Sequence, residues 1–315
     1  MQVDSICILG GTGFVGRAVA EQLAPQGRRV RVVTRREVRA KPLAVLPTVE
    51  VMEADIHDPQ ALRRCFENMD VVINLVGILH ETRRQSFRSC HAELPAKVVA
   101  ACRASGVRQL IHMSALGASA EGPSAYQRSK AAGEEAVRQG AGILPYTIFR
   151  PSVIFGDGDR FLNLFATLVR LMPVIPLAGA QARFQPVWVE DVARCIAGAV
   201  GNRHAFGQVY ELAGPKAYTL ADLVRLVAAT TGRKRLVIGL PAPLARLQAF
   251  TFEHLPGKLM TRDNLASMSV DNVAAGPFPA IFGFQPAALE AVVAEYLHAT
   301  AARARYAHYR HHAGR

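Results

Sequence analysis

A glycine-rich turn near the start of the chain constrains its fold more than any other feature. Residues Gly11–Gly16 read G-x-G-x-x-G, directly after the apolar run Ile6–Leu9 and before a helical pattern. The spacing alone is weak evidence, but a preceding strand and a following helix are the context in which it binds a dinucleotide. Gly11 would allow the tight turn, Gly13 the approach of the pyrophosphate, and Gly16 the packing of the helix. The alternative is a glycine-rich turn without a ligand.

Short β-branched runs alternate with helical patterns through the first half of the chain. The predicted strands are Ile6–Leu9, Val30–Thr34, Val49–Glu53, Val71–Leu75, Val107–Met113 and Tyr146–Phe149. Continuous apolar strands linked by helices indicate a parallel sheet that is buried on both faces. The predicted fold class is therefore α/β: a Rossmann-type, doubly wound parallel sheet with helices on both faces and a smaller C-terminal domain.

The predicted domain boundaries follow from the change of pattern after Pro151. Residues 1–150 form the dinucleotide-binding domain, to which residues 185–200 are expected to return. Residues 151–300 form a smaller mixed domain for a substrate or partner, and residues 301–315 a basic tail that is expected to fray. Within the smaller domain, Phe161–Leu171 carries an apolar stripe at helical spacing. Packing in the domain core is the favoured interpretation, and docking on a membrane or subunit, or lining an apolar substrate pocket, are the alternatives.

The balance of charge narrows the classes of partner. The net charge is +12, which favours an anionic partner such as a cofactor phosphate, a nucleic acid or a lipid surface. The arginines are scattered, with local clusters at Arg28–Arg31, Arg35–Arg39 and Arg83–Arg88. No basic run interleaved with aromatic residues indicates a nucleic-acid groove, so a nucleic-acid partner is not expected.

Cysteine usage and apolar runs bear on metals, compartment and membranes. The five cysteines form no C-x-x-C pair, so a zinc site is not expected and a reducing compartment fits better. The apolar N-terminus lacks a basic n-region and is interrupted by glycines and Arg17, so no signal peptide is expected. The sequence has no uninterrupted apolar stretch of ~18 residues, so no spanning helix is expected.

The end of the second strand bears on the choice of cofactor. An NAD enzyme usually places a carboxylate there to bind the ribose 2′-hydroxyl, whereas this chain has Thr34, Arg35 and Arg36. A guanidinium can bind a 2′-phosphate through two parallel hydrogen bonds, so NADP(H) is preferred and NAD(H) is the alternative. A solvated arginine pair is the interpretation without a ligand. Asp55, after the third strand, either approaches the adenine or, like Asp58, caps the next helix.

Three residues fall where carbonyl–alcohol chemistry would need them. Tyr126 and Lys130 are four residues apart at the start of a predicted helix and share one face, and Ser114 ends the fifth strand. An ammonium ~4 Å from a phenol could lower its pKa from ~10 towards neutrality. Tyr126 would then exchange a proton with the carbonyl or alcohol oxygen, Lys130 would assist it and hold the nicotinamide ribose, and Ser114 would orient that oxygen. A chance Tyr–Lys spacing on an exposed helix is the alternative.

Taken together, these motifs resemble a short-chain dehydrogenase/reductase of the extended or atypical kind, and the resemblance reaches to about Leu297. The matching segments are Gly10–Gly16, Asn74–Gly77, Ser114, Tyr126 with Lys130, Arg150–Gly156, Pro186–Ala193 and Phe282–Pro286. With the resemblance, the predicted catalytic residues are Ser114, Tyr126 and Lys130. The predicted cofactor-binding residues are Gly10, Gly11, Thr12, Gly13, Phe14, Val15, Gly16, Thr34, Arg35, Arg36, Asp55, Ile56, Leu75, Val76, Gly77, Tyr126, Lys130, Pro151, Ser152 and Val153.

The segments Ile73–Leu79, Ser114–Ala118 and Tyr126–Lys130 are most similar to one branch of this superfamily. That branch contains the nucleotide-binding accessory subunit of respiratory complex I and its bacterial relatives. The resemblance implies tightly bound NADPH and a membrane-surface or respiratory-complex neighbour. It does not imply turnover, because the complex I member is regarded as holding its nucleotide structurally.

Two departures from the superfamily pattern limit what the resemblance implies. An asparagine often serves a proton-relay water in the helix after the fourth strand, and His91 takes its place here. The segment between Ser114 and Tyr126 is short and lacks the Val-Tyr-Gly motif of sugar-nucleotide epimerases, which argues against a nucleotide-sugar substrate.

Two functions remain open at this point. One is an NADP(H)-dependent oxidoreductase that acts on a carbonyl or alcohol through Tyr126 and Lys130, and the balance leans towards this enzyme. The other is a non-catalytic NADPH-holding accessory or assembly subunit of a membrane redox complex or quinone pathway. A redox sensor ranks last, because such sensors usually lack the Tyr–Lys pair. The expected location is the cytoplasm, with peripheral attachment to the inner face of a membrane as an alternative.

Overall fold

The computed structural model describes residues 1–142, 144–255 and 259–297. These residues form two compact units. The first contains residues 1–152, 189–212 and 274–284, and the second contains residues 153–188, 213–273 and the chain from residue 285 onwards. The return of residues 274–284 to the first unit has no counterpart in the sequence prediction. The predicted basic tail, residues 301–315, lies outside the described residues.

Strands and helices alternate along the chain. The strands are β1 (Ser5–Leu9), β2 (Arg29–Thr34), β3 (Val49–Glu53), β4 (Val71–Asn74), β5 (Gln109–Met113), β6 (Tyr146–Pro151), β7 (Ile154–Phe155), β8 (Val174–Leu177), β9 (Arg183–Phe184), β10 (Val187–Trp188), β11 (Gln208–Leu212), β12 (Tyr218–Thr219) and β13 (Leu236–Gly239). The helices are α1 (Phe14–Leu23), α2 (Pro59–Phe66), α3 (Leu94–Ala104), α4 (Ala125–Ala141), α5 (Leu162–Leu171), α6 (Val189–Ala199), α7 (Leu220–Thr230), α8 (Ala242–His254) and α9 (Arg262–Ser267), and residues 289–297 are also helical.

The first unit is built on a seven-stranded sheet with the order β11-β6-β5-β4-β1-β2-β3. Each neighbouring pair is parallel, so the carboxyl ends of the strands share one edge. The strand order reverses between β1 and β4, and the glycine turn follows β1 at that point. Ligands of open α/β sheets bind at such a switch point. The Rossmann-type α/β fold predicted from the sequence is confirmed.

Local sequence signals place the helices that cover this sheet. Asp58 caps α2 by accepting a hydrogen bond from the Gln60 N–H at 2.9 Å, as the sequence predicted. Ser124 and Gln127 form a capping box that starts α4. Because that box fixes the first turn of α4, it also fixes where Tyr126 and Lys130 emerge.

The second unit has its own apolar core. In α5, Leu162, Phe165 and Val169 are buried in that core together with residues of α7. The stripe predicted in Phe161–Leu171 therefore packs in the core, which was the favoured interpretation. Within the described ranges, no helix combines the length and the apolar character that crossing a bilayer requires.

Candidate functional site

The glycine turn after β1 forms a compact cradle of backbone. Gly10 has a φ of +79°, and the Gly13 N–H donates to the Gly10 carbonyl oxygen at 2.9 Å. A Cβ on Gly16 would collide with that same oxygen and would lie 2.7 Å from the Gly11 carbonyl carbon. None of the described side chains caps the start of α1, and its first turn carries no acidic residue. The turn therefore presents uncapped helix N–H groups to an anion, and it fits the pyrophosphate of a dinucleotide.

A cleft of about 570 Å³ lies beside the carboxyl ends of β2 and β3. Arg35 and Asp55, both predicted as cofactor contacts, line this cleft. The Thr34 hydroxyl accepts from the Arg36 N–H at 3.3 Å and donates to the Arg36 carbonyl at 3.1 Å, which fixes the turn that carries Arg35. Arg36 is exposed. Because Asp58 caps α2, Asp55 is left to face the cleft, where its carboxylate accepts from the His57 N–H at 2.9 Å.

Five lining residues of the cleft were missed by the sequence prediction: Glu53, Ala54, His57, Arg84 and Gln85. Arg84 and Gln85 belong to a turn that Thr82 stabilises. The Thr82 N–H donates to the Gln85 carbonyl at 2.9 Å, and the Thr82 hydroxyl accepts from the N–H groups of Arg84 and Gln85. The basic cluster Arg83–Arg88 was the available signal, but only the fold brings it to the end of β3.

Glu53 places a carboxylate in the same cleft as the two guanidiniums. Its Oε2 accepts a hydrogen bond from the Glu37 N–H at 2.8 Å, which ties the end of β3 to the turn after β2. The lining of the cleft thus contains the cations Arg35 and Arg84 and the carboxylates Glu53 and Asp55. This mixed set of charges fits the adenosine end of a dinucleotide.

The predicted residues that follow β4 lie near Lys130. The Lys130 ammonium donates to the Met113 carbonyl at 2.8 Å, and a Cβ on Gly77 would lie 3.9 Å from its Nζ. Leu75 adjoins the glycine turn, because a Cβ on Gly10 would lie 3.1 Å from the Leu75 carbonyl carbon. The Val76 N–H donates to the Asn74 side chain at 3.2 Å. The structure therefore brings the glycine turn, the segment after β4 and Lys130 to one edge of the sheet.

Burial governs the protonation of the Tyr–Lys pair. It raises the pKa of Tyr126 to about 12 and lowers the pKa of Lys130 to about 8, although the Glu134 carboxylate acts in the opposite direction on Lys130. The sequence-based expectation of a Tyr126 pKa lowered towards neutrality is therefore wrong for this structure. Desolvation disfavours the charged form of both groups. At neutral pH Tyr126 keeps its proton.

Ser114 lies beside a buried ion pair. Arg150 donates two hydrogen bonds of 2.7 Å to the Glu134 carboxylate, and Arg138 donates a third at 2.8 Å. Burial by itself would raise the pKa of Glu134, but the hydrogen bonds from Arg150 and the nearby Ser114 hydroxyl lower it. Among the described residues, the buried Ser114 Oγ lies within hydrogen-bond geometry of no partner atom, so Ser114 borders the Glu134–Arg150 pair and its hydroxyl is left for a ligand.

His91 joins the segment after β4 to α4. It lies in a π turn, Arg88–Glu93, and its Nε2 accepts from the Ile78 N–H at 3.0 Å. Its Nδ1 therefore carries the proton and donates to the Ser129 hydroxyl at 2.9 Å, and that hydroxyl donates to the Tyr126 carbonyl at 2.7 Å. The ring also contacts Tyr126 edge-on, with centroids 5.5 Å apart. His91 therefore positions the residues around it.

The buried His91 predicts a pH dependence of stability. Burial, with the nearby Lys130 charge, lowers its pKa from 6.5 to about 3. Between these values the unfolded chain binds a proton that the folded chain does not, so stability falls as the pH falls below 6.5. We expect His91 to account for a loss of about 2 kcal/mol in the free energy of unfolding between pH 6.5 and pH 5.

Urea denaturation at several pH values would measure this loss in the wild type and in His91→Asn. Asparagine does not titrate in this range. The free energy of unfolding of the variant should therefore fall by about 2 kcal/mol less than that of the wild type between pH 6.5 and pH 5. Burial, with smaller effects of Lys130 and His91, also lowers the pKa of His112. Burial, the largest cause, acts on His112 in both proteins, so the difference between them reports mainly on His91. Parallel pH profiles for the two proteins would contradict the assignment.

The remaining predicted residues divide between the two units. Thr12, Phe14 and Val15 belong to the glycine turn and the start of α1, and Ile56 is buried after β3. Pro151 ends β6 and Ser152 donates its N–H to the Leu212 carbonyl at 2.8 Å, both in the first unit. Val153 begins the second unit.

Comparisons with known proteins agree with this geometry. Residues 6–213 match the model of the NAD dependent epimerase/dehydratase family. The chain is 33% identical over 297 residues to NADH dehydrogenase [ubiquinone] 1 alpha subcomplex subunit 9 of Rattus norvegicus, covering 90% of this chain and 77% of that protein. It is 34% identical over 241 residues to a ceramide reductase of Caulobacter vibrioides, covering 76% of this chain and 74% of that one.

Among solved structures, the fold is similar to that of an NADPH-dependent quinone oxidoreductase from Escherichia coli, which was determined with NADPH. The TM-score is 0.74 at 21% identity, with 92% of this chain and 99% of the other covered. At this level of identity the similarity concerns the fold. The resemblance stated from the motifs is confirmed.

Proposed function

The chain belongs to the NAD dependent epimerase/dehydratase family, and from this premise we propose that it is an NADP(H)-dependent reductase that acts on a carbonyl group. The family supplies the class of cofactor. The direction of reaction, the preference for NADP(H) and the residues that act are our proposals from the geometry of the first unit.

The observation that carries the proposal is the placement of Tyr126 and Lys130 four residues apart at the start of α4, with the Lys130 ammonium near Gly77 at the carboxyl edge of the sheet. Burial raises the pKa of Tyr126 to about 12, so the phenol keeps its proton at neutral pH, as a general acid requires. Below its pKa of about 8, Lys130 is mostly an ammonium, which stabilises the phenolate that forms when the proton leaves. Reduction of a carbonyl is therefore the direction that this pair supports at pH 7.

Each of the site residues would have a separate role in cofactor binding or proton transfer. The glycine turn and α1 bind the pyrophosphate, and Lys130 and Gly77 border the place for the nicotinamide ribose. The bound cofactor supplies a hydride. Tyr126 donates its hydroxyl proton to the carbonyl oxygen, so that the product is an alcohol, and the proton is restored from solvent. Ser114 orients this oxygen through its buried hydroxyl.

The preference for NADP(H) rests on the cleft beside β2 and β3. Arg35 and Arg84 supply two guanidiniums to one small space, and a 2′-phosphate would bring the negative charge that they can bind. Asp55 and Glu53 then accept hydrogen bonds from the adenosine. NAD(H) lacks the 2′-phosphate, so in its complex the guanidiniums of Arg35 and Arg84 would have no negatively charged partner in the cleft other than Glu53 and Asp55.

Native mass spectrometry followed by single-turnover kinetics tests the proposed reaction. We expect the purified protein to carry NADP(H), and the NADPH-loaded protein to oxidise its cofactor when mixed with a long-chain ketone, aldehyde or quinone. Tyr126→Phe should bind NADPH normally and transfer hydride at least ~100-fold more slowly, which is the scale of general acid catalysis. Tyr210→Phe, in β11, removes a hydroxyl from the same unit and serves as the control. Equal rates for Tyr126→Phe and the wild type would contradict the role of Tyr126.

A second candidate is a non-catalytic NADPH-holding subunit at a membrane redox complex. The 33% identity to a complex I subunit over 90% of this chain favours it. In that case the protein would retain NADPH that none of the carbonyls or quinones oxidises. For either function we propose a location in the cytoplasm with attachment to the inner face of a membrane.

A further inference from the structure

The second unit exposes a set of large apolar side chains. They are Val174 in β8, Leu236 and Ile238 in β13, and Leu244, Leu247 and Phe250 in α8, and we call this set the apolar face. Their exposed fractions run from 39% for Val174 to 60% for Leu247. Single exposed apolar residues are ordinary, but a cluster of this size on one unit marks a surface that binds something.

The two strands and α8 are linked to one another within the second unit. In the parallel pair β8–β13, Leu236 is opposite Val174 in the register, so their side chains project from the same side. In α8, Ala245 and Ala249 are buried, which leaves Leu244, Leu247 and Phe250 on the outer side. Gln248 joins the parts, because its Nε2 donates to the Pro176 carbonyl at 2.8 Å and its Oε1 accepts from the Ala178 N–H at 3.1 Å.

Exposed cations accompany the apolar face along the chain. Arg233 and Lys234 immediately precede β13 and are exposed, and Arg246 is exposed on α8 between Leu244 and Leu247. From residue 231 to residue 255 the sequence has four cations and one carboxylate, Glu253. That carboxylate is bound by Arg262 at 2.9 Å. The segment that carries five of the six apolar side chains therefore has an excess of positive charge.

We propose that the apolar face binds the surface of an anionic phospholipid bilayer, with α8 lying in the interface. This role rests on the membrane attachment in the proposed function, which the apolar face would provide. Apolar side chains flanked by Lys and Arg are the pattern of interfacial helices, which bury one face at the acyl boundary and place their cations among anionic headgroups. A second copy related by a two-fold axis would instead bring the same cations opposite one another.

Co-sedimentation of the full-length protein with vesicles tests this assignment. We expect binding to vesicles of phosphatidylcholine mixed with phosphatidylglycerol, and little to phosphatidylcholine alone. The double variant Leu247→Ser with Phe250→Ser should bind the mixed vesicles at least about tenfold more weakly, because two buried apolar side chains are lost. Lys234→Glu with Arg246→Glu should lose a similar factor, and ~0.5 M salt should weaken the wild type. The matched control is Val38→Ser with Val45→Ser, which removes two side chains of the first unit that are 69% and 80% exposed.

Three outcomes would overturn the proposal. The first is equal binding of the wild type and both face variants, which would assign the affinity to the basic C-terminal residues. The second is no preference for the anionic vesicles. The third is a dimer, seen by analytical ultracentrifugation, that disappears in Leu247→Ser with Phe250→Ser while the wild type binds no vesicle. NADPH content, measured on the same samples, separates this proposal from the proposed function, since a protein that binds vesicles but not NADPH would refute only the latter.

Discussion

Replacement of Gly16 by alanine is expected to remove NADPH binding almost completely. The new Cβ would collide with the Gly10 carbonyl oxygen and crowd Gly11, which are backbone atoms that cannot rotate away. The glycine turn would have to move, and its N–H groups would no longer meet the pyrophosphate. Loss of two hydrogen bonds to a charged group, at about 1.5 kcal/mol each, weakens binding at least about 100-fold.

Isothermal titration calorimetry with NADPH would measure this loss. Gly276→Ala is the matched control, because a Cβ at Gly276 meets no atom within 4 Å, and its affinity should equal that of the wild type. Thermal unfolding of both variants separates loss of binding from loss of folding. If Gly16→Ala does not fold, Gly13→Ala serves instead, since its Cβ would lie 3.1 Å from the Gly10 oxygen and should weaken binding less severely. A folded Gly16→Ala protein with wild-type affinity would refute the assignment of the turn.

Arg35→Asp is expected to weaken NADPH binding roughly 100-fold and NADH binding less than about threefold. A bidentate pair between a guanidinium and a phosphate contributes about two charge-assisted hydrogen bonds, and the new carboxylate would also repel the phosphate. Arg84→Ala should show the same selectivity with a smaller loss, because it removes a cation from the cleft without adding an anion. Titration of each variant with both coenzymes measures the two losses separately.

Arg39→Ala is the matched control for Arg35→Asp, because Arg39 is an exposed arginine of the same segment that was not predicted to bind the cofactor and does not line the cleft. Its affinity for NADPH should change less than about threefold, as expected for an exposed charge. Losses of equal size for NADPH and NADH in Arg35→Asp would show that Arg35 does not recognise the 2′-phosphate. The preference for NADP(H) would then have to be abandoned, while binding of a dinucleotide would stand.

The parts of the fold that the sequence predicted well are those with a local cause. Apolar runs followed by helical periods predicted β1 to β6, and Asp58 with Pro59 predicted the start of α2. The strand ends differ from the predicted ones by one or two residues; β4, for example, was predicted to end at Leu75 and ends at Asn74. Such features depend on the chemistry of a few neighbouring residues, so a single sequence contains them.

Features that depend on distant contacts could not be predicted in the same way. Arg84 reaches the cleft only because the Thr82–Gln85 turn folds beside the end of β3. The pKa of Tyr126 depends on how completely its hydroxyl is desolvated, and the four-residue spacing from Lys130 contains no information about that burial. The ion pair of Glu134 with Arg150 joins residues sixteen positions apart, and neither residue alone indicates a partner.

Each unit is built from three separate segments of the chain, so the dinucleotide-binding unit cannot be expressed as one continuous N-terminal fragment. A fragment that ended at residue 152 would keep the glycine turn but lose β11, and the freed edge of β6 would offer unpaired N–H and carbonyl groups to other chains. It would also lose α6, in which Glu190 meets Gln22 of α1 at 3.3 Å. We therefore expect a fragment of residues 1–152 alone to aggregate. A chimaeric protein that is to bind the dinucleotide would also need residues 189–212 and 274–284.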